Sequence, residues 1–419
     1  MTIEHITSRQ ILDSRGRPTL ETTVTLDTGV SGTAAVPSGA STGSHEAFEL
    51  RDQSPKHYGG LGVHKAIDHV TGPIAKATKG FDVRQQRGLD SLLVELDGTV
   101  NKSKLGANAL LSVSLAVSRA AAALQRQPLY RWIQQVYELP AVTANALPRP
   151  MMNVLNGGRH ADTELKIQEF LIMPTGQTAA GQIERGALVY RALAELLTAK
   201  HLRTTVGDEG GFAPALTEPT VAFDFVIKAI TAAGYQTPDD IEFGLDIAAS
   251  EWYNASTERY DLAPNPAGLS SEGVAGLLEE WLRQYPLTLI EDPLAEDDWV
   301  GWQLITAKLG SRLTLVGDDL FTTNPDRLER GLDSHVANAV VIKPNQAGTL
   351  TEAVDTAVKA RAARYALVVG NRSGETNDPF IVDLAVALGA EYLKAGAPAR
   401  GERVAKYNRL LAIADELGQ

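Results

Sequence analysis

The sequence predicts an α/β protein in which a (β/α) barrel follows a smaller α+β domain. Short apolar runs end repeatedly in a charged or amide residue, as in Pro286-Leu-Thr-Leu-Ile-Glu-Asp-Pro293, where Leu287, Leu289 and Ile290 suit a core and Glu291 and Asp292 fall at the strand end. The run ends Glu291, Asp318, Lys343, Asn371 and Lys394 recur at roughly 25 residues, about one strand plus one helix. Polar groups at successive strand ends describe the rim of a barrel, where such folds place their ligands. At 419 residues the chain is also too long for one ordinary domain.

The elements follow in chain order. Leu20, Thr22, Val24 and Leu26 alternate with Glu21, Thr23 and Thr25, the period of a half-exposed strand. Thr28-Gly29 offers a turn into a return strand from Gly32 to Val36, making a hairpin. Pro37-Ser-Gly-Ala-Ser-Thr-Gly43 is a small-residue loop suited to a mobile lid whose hydroxyls reach a ligand. Lys104 to Gln125 reads as a buried helix, and a shorter one follows from Leu129 to about Tyr137. Pro140, Pro148 and Pro150 then punctuate a connection, which divides the chain into an N-terminal α+β domain over 1–137 and a barrel over 138–419. Gln182–Lys200, Thr220–Ala233 and Ser271–Tyr285 have helical apolar spacing, the last with Ser271 as N-cap. Ile241–Asp246, Leu313–Asp319, Ala339–Lys343, Tyr365–Asn371 and Ala390–Lys394 are the further strand-like runs. Between them lie a glycine-hinged turn ending in His160, an apolar run opened by Gln168-Glu169-Phe170, and Gly207-Asp-Glu-Gly-Gly211, which leaves Glu209 little solvation from its neighbours.

Composition narrows the function. A net charge of −12 and a pI near 5.2 argue against a nucleic-acid or anionic-membrane surface. A small anionic substrate remains compatible where lysines and a metal oppose it locally. The chain has no cysteine, so any metal is held by oxygen or histidine, and clustered carboxylates favour Mg²⁺. The N-terminal residues lack a basic segment followed by an apolar one and no run reaches membrane-spanning length, which predicts a cytoplasmic protein.

If Asp246, Glu291 and Asp318 converge, three buried carboxylates repel one another unless a divalent cation compensates them. Lys343 and Lys394 sit further round the same rim. A lysine beside a cation and a second lysine has its ammonium form disfavoured, which draws its pKa toward that of a general base. A metal that binds a substrate carboxylate, with a neutral lysine beside it, removes the proton α to that carboxylate through an enediolate. Glu209 or Glu169 on the opposite face would then protonate a leaving hydroxyl, giving β-elimination.

These stretches resemble the enolase (phosphopyruvate hydratase) family over nearly the whole chain. The resemblance is carried by Asp13-Ser-Arg-Gly-Arg-Pro-Thr, Val36-Pro-Ser-Gly-Ala-Ser-Thr-Gly43, Asn153-Val-Leu-Asn-Gly-Gly158, Gln168-Glu-Phe170, Gly207-Asp-Glu-Gly-Gly211, Leu245-Asp-Ile-Ala-Ala-Ser-Glu251, Ile290-Glu-Asp-Pro293, Gly317-Asp-Asp319, Arg372-Ser-Gly-Glu-Thr376 and Lys394-Ala-Gly-Ala-Pro398. It implies an enolase-type (β/α)8 barrel whose second strand is antiparallel, an N-terminal α+β capping domain, and a homodimer. By position it implies Asp246, Glu291 and Asp318 as ligands of one Mg²⁺, and Ser41 as a contributor to a second, substrate-linked Mg²⁺. Lys343 matches the base and Lys394 a lysine on the substrate and metal side, while Glu209 matches the general acid and Glu169 its partner. His160 matches a loop histidine that closes on the substrate, Gln168 a substrate contact, and Arg372 with Ser373 the phosphate contacts.

The chain departs from the family where Ser-His precedes Arg-Ser-Gly-Glu, because it has Gly370-Asn371. Asparagine exchanges hydrogen bonds but carries no proton at neutral pH. A smaller difference is Thr163, where many bacterial members have asparagine. The proton-abstraction half therefore reads as intact and the leaving-group half as altered. Three readings follow: a specialised paralogue, for instance in phosphonate biosynthesis in the manner of the carboxyphosphonoenolpyruvate synthases; an ordinary enolase converting 2-phosphoglycerate to phosphoenolpyruvate; and a weakly active binding or structural protein. Keeping three carboxylates and two lysines together has no physical reason outside catalysis, which ranks the third reading last.

Overall fold

The computed structural model describes residues 1–39, 43–262 and 267–419. Its N-terminal part is a three-stranded antiparallel sheet of β1 (Ile3–Leu12), β2 (Pro18–Leu26) and β3 (Ser31–Ala35). The alternation from Leu20 to Leu26 faces the core, with Leu20, Val24 and Leu26 buried. Strand β1 escapes a reading of periodicity because only Ile3 and Ile6 along it are buried and the rest are polar or exposed. The apolar helix Ala107–Leu124 lies across this sheet, most of its residues buried. It lies close because a Cβ on Gly32 would collide with the backbone of Ala116 and Ala120. The helix is long and apolar enough to cross a membrane, but 83% of it is covered by the protein's own core.

The rest of the chain forms a closed eight-stranded barrel. In chain order its strands are β4 (Arg149–Asn156), β5 (Glu169–Pro174) and β6 (Ile241–Asp246), then, after the small ribbon β7 (Tyr253–Asn254) and β8 (Arg259–Tyr260), β9 (Leu287–Glu291), β10 (Thr314–Gly317), β11 (Ala339–Ile342), β12 (Ala366–Gly370) and β13 (Tyr392–Lys394). Strand β5 runs antiparallel to both β4 and β6, and the other barrel pairs are parallel. Side chains alternate as the pleat requires. Met151, Leu171, Met173, Leu289, Val316, Val341 and Val368 fill the barrel interior, while Ile290, Leu315, Ile342 and Val369 join the larger cluster beneath the helices.

The helices Ala179–Ala199, Pro219–Ala232 and Ser271–Gln284 cover the expected spans. The cap of the third is Ser270, not Ser271: the Ser270 hydroxyl accepts from the Gly273 N–H, whereas Ser271 donates its own hydroxyl to Asp298 at 2.6 Å. Adjacent serines give sequence reasoning no means of choosing between them.

Candidate active site

The strand topology decides which side chains meet. Parallel strands deliver their last residues to one rim, and the reversed β5 delivers its first residue to the same rim. The register therefore sets Glu169 opposite Asp246, Asp246 opposite Glu291, and Gly370 opposite Lys394. Loops add the remainder. The turn Gly158–His160 brings in a buried His160, with Gly158 at a φ of 51°. Glu209 is carried by the glycine loop, whose Gly210 has a φ of 89° and whose carbonyl accepts from the Tyr190 hydroxyl at 2.7 Å.

A single pocket is lined by His160, Gln168, Glu169, Glu209, Asp246, Asp318, Lys343, Asn371, Arg372, Ser373 and Lys394. Glu291 is fully buried beneath it and reaches it through Lys394. Ser41 lies outside the described residues. Every other catalytic, substrate-binding or metal candidate from the sequence is in this one cluster, whereas Thr163 lies outside it.

Charge is arranged in two facing groups. On one side Lys394 Nζ donates to Glu291 Oε1 at 2.7 Å and to Asp246 Oδ2 at 3.1 Å, and lies 3.4 Å from Glu169 Oε2. Lys343 Nζ pairs closely with Asp318. Burial disfavours both ammonium groups, but the carboxylates prevail and hold both lysines above their ordinary range. Lys343 is thus held protonated by Asp318; the expected depression is that of a lysine beside a bound cation. Burial pushes Glu291 up to about 8 against the pull of Lys394.

On the other side His160, Glu169 and Glu209 gather with ligand atoms within 4.8 Å of one another. Burial and the charge of Glu209 push Glu169 well above the usual carboxylate range. Glu209 is buried too, but His160, Arg403 and the two lysines outweigh that and hold it near 2. Burial lowers His160 against the opposing charges of Glu209 and Asp246. Shifts in opposite directions, as in these two glutamates, are what a coupled pair that shares a proton shows.

The acidic side fits a hard cation. Among the described residues Glu291 Oε2 is buried without a hydrogen-bond partner, and Lys394 and Lys343 are the ammonium partners of Asp246, Glu291 and Asp318. Asp292, Asp318 and Asp319 bring carboxylate oxygens within 4.8 Å of one another. Of these, Asp292 is already engaged: its two oxygens accept the N–H groups of Asp318 at 3.0 Å and Asp319 at 2.8 Å, and its backbone sits at a φ of 42°. It braces the end of β10. Asp246 and Glu291 share Lys394, and Asp318 pairs with Lys343, so each of these three carboxylates already has an ammonium partner.

The comparison with protein families agrees with this geometry. The enolase N-terminal domain matches residues 3–133, and the enolase C-terminal TIM barrel domain matches residues 144–419. The chain belongs to the enolase family. It is an enolase-like lyase by that membership, and enolases in general depend on Mg²⁺ and act on small phosphorylated acids.

Within this enolase-type site, some residues escaped sequence reasoning. Glu46 forks onto Arg372 at 2.8 and 3.1 Å, both side chains being buried. The segment carrying Glu46 is held down by Ser44, whose hydroxyl donates to Glu296 at 2.6 Å, and by His45, 3.1 Å from Asp297. Gln346 donates to Asp318 at 3.0 Å. Arg403, fully buried, donates to the carbonyls of Arg372 and Ser373 at 2.7 Å and of Asp208 at 3.0 Å, clamping two active-site loops together. Its only trace in sequence is helical spacing in the last helix, which says nothing about its partners.

Proposed function

We propose that the protein is a Mg²⁺-dependent enolase-like lyase that removes the proton α to the carboxylate of a phosphoglycerate-type acid, and that it is a specialised paralogue, of the kind that serves phosphonate biosynthesis. The observation that carries this reading is the pairing of two lysines with three buried carboxylates across one pocket from the buried Glu169 and Glu209. Asp246, Glu291 and Asp318, with Ser41 for a second ion, would hold Mg²⁺, whose charge offsets what the substrate carboxylate gains as its α-proton leaves. Lys343 takes that proton, and Lys394 holds the acidic groups and the substrate on the same side. Glu209 is the acid toward the group that leaves, with Glu169 its partner carboxylate. Arg372 and Ser373 bind the phosphoryl or phosphonyl group, while His160 and Gln168 close over the substrate. Asn371, in place of the family's histidine, is what supports specialisation. The reading includes a homodimer in the cytoplasm.

Ordinary dehydration of 2-phosphoglycerate is the second reading, favoured by the retained Glu169, Glu209 and His160. The assay is absorbance growth on 2-phosphoglycerate with Mg²⁺, run on the protein and on Asn371→His, with solvent deuterium exchange at the α-carbon. Exchange without dehydration is the expected result. Turnover of about 1 to 10³ s⁻¹ by the unmodified protein would refute specialisation, and a lack of exchange would refute Lys343 as base.

A further inference from the structure

Asn371 is 3% exposed and lines the pocket together with Glu169, Glu209 and His160. Its backbone N–H donates to the Lys394 carbonyl at 2.8 Å, and its side-chain Nδ2 donates to the Arg372 carbonyl at 3.1 Å. The second bond fixes the amide. Turning it over would press Oδ1 against a carbonyl oxygen that already receives Arg403 at 2.7 Å, setting two lone-pair groups face to face. The oxygen is therefore the free end.

That oxygen is buried and accepts no hydrogen bond among the described residues. The cationic donors lining the pocket are committed elsewhere: Lys343 to Asp318, Lys394 to Glu291 and Asp246, and Arg372 to Glu46. Its neighbours repeat the pattern, since Glu209 Oε2 and Gln168 Oε1 are also buried acceptors without a hydrogen-bond donor. A buried acceptor in a functional pocket calls for a partner. A wall of acceptors selects a ligand group that donates, and repels an anionic one.

We propose that Asn371 is a specificity-determining residue whose amide oxygen accepts a hydrogen bond from a hydroxyl of the substrate beside the Glu169–Glu209 pair. The inference rests on the phosphoglycerate-type reading of the site and narrows it to acids that carry a neutral hydroxyl there. Unlike an imidazole, the amide has no form that donates from this oxygen position, so the preference holds across the neutral pH range.

The test compares two ligands that differ in this hydroxyl alone, 2-phosphoglycerate and lactate 2-phosphate, by calorimetry with Mg²⁺. Lys343→Met is the common background, so that neither ligand is consumed. The background protein is expected to bind the hydroxyl ligand about tenfold more tightly. Adding Asn371→Leu, or Asn371→Ala, is expected to bring the two ligands within about twofold while lactate 2-phosphate still binds, which also shows that the site is folded. An unchanged preference in both double variants overturns the inference and leaves the substrate class standing. Failure of the background protein to bind either ligand overturns the substrate class and the inference with it.

Discussion

Replacing Glu46 by glutamine should tighten the binding of a phosphorylated ligand, although it breaks a buried ion pair. Glu46 holds Arg372 through two charge-assisted bonds of 2.8 and 3.1 Å in the ligand-free protein. Arg372 is the group proposed to receive the phosphoryl oxygens, so an incoming phosphate must displace Glu46 first. Hydrogen bonds to charged groups contribute about 1.5–3 kcal/mol, and sparing the ligand one such exchange corresponds to a factor of roughly 10 to 150 in affinity. Titration of the Glu46→Gln protein with inorganic phosphate, in Mg²⁺, should therefore give a Kd at least tenfold lower than that of the unmodified protein. Ser44→Ala is the control: it removes the 2.6 Å tether of the same segment to Glu296 without touching Arg372, and should leave the Kd within about twofold. A Kd that is unchanged or higher in Glu46→Gln would mean that Glu46 stays on Arg372 when the anion binds. Equal tightening by both variants would assign the effect to release of the segment.

Three further outcomes are expected. Asp90 is fully buried between the domains, where burial raises it to about 6 against its bonds to Thr351, Ser114 and Gln86. Its favourable contribution is thus complete below the unfolded value of 3.8 and lost as pH rises through about 6; urea unfolding should show Asp90→Asn gaining about 3 kcal/mol on the unmodified protein between pH 4 and 7, and a difference constant with pH would refute this. Lys394→Met leaves Glu291 and Asp246 without their ammonium partner, so the variant should lose about 3–5 kcal/mol in chelator and regain much of it in Mg²⁺, with equal loss in both buffers as the refuting result. A Cβ on Gly370 would lie 3.0 Å from Lys343 Cε and 2.8 Å from Val341 Cγ1, so Gly370→Ala should slow α-proton exchange about tenfold or more through a displaced lysine while ligand Kd changes less than about twofold.

Legibility in the sequence followed the kind of interaction. Six barrel strands, β6 and β9 to β13, could be read because each is an apolar run closed by a polar residue, and that pattern is local; β4 was not read, and the reversed β5 opens on its acid instead of closing on it. The helix Ala107–Leu124 was visible for the same reason. Strand β1 was not, because an edge strand with two buried residues carries too little apolar period. Asp246, Glu291, Asp318, Lys343 and Lys394 were legible as strand ends, and their convergence follows once the barrel closes. Glu46 and Arg403 were hidden, since each acts through a partner more than thirty residues away or through a backbone carbonyl. The charge state of Lys343 was also hidden: it depends on whether Asp318 has another counter-ion, which no spacing encodes.

The two halves of the site respond differently to one missing proton carrier. On the carboxylate side every buried acid except through Glu291 Oε2 has a lysine or backbone donor, so the loss of a distant histidine changes nothing there. On the other side Glu169 and Glu209 are shifted in opposite directions, as a coupled pair sharing a proton would be, and Asn371 carries no proton to them. On the proposed chemistry, α-proton exchange needs only Lys343 to give up and regain its proton, whereas elimination also needs a proton returned to the glutamate pair. Exchange outrunning elimination is the kinetic signature that this proposal expects.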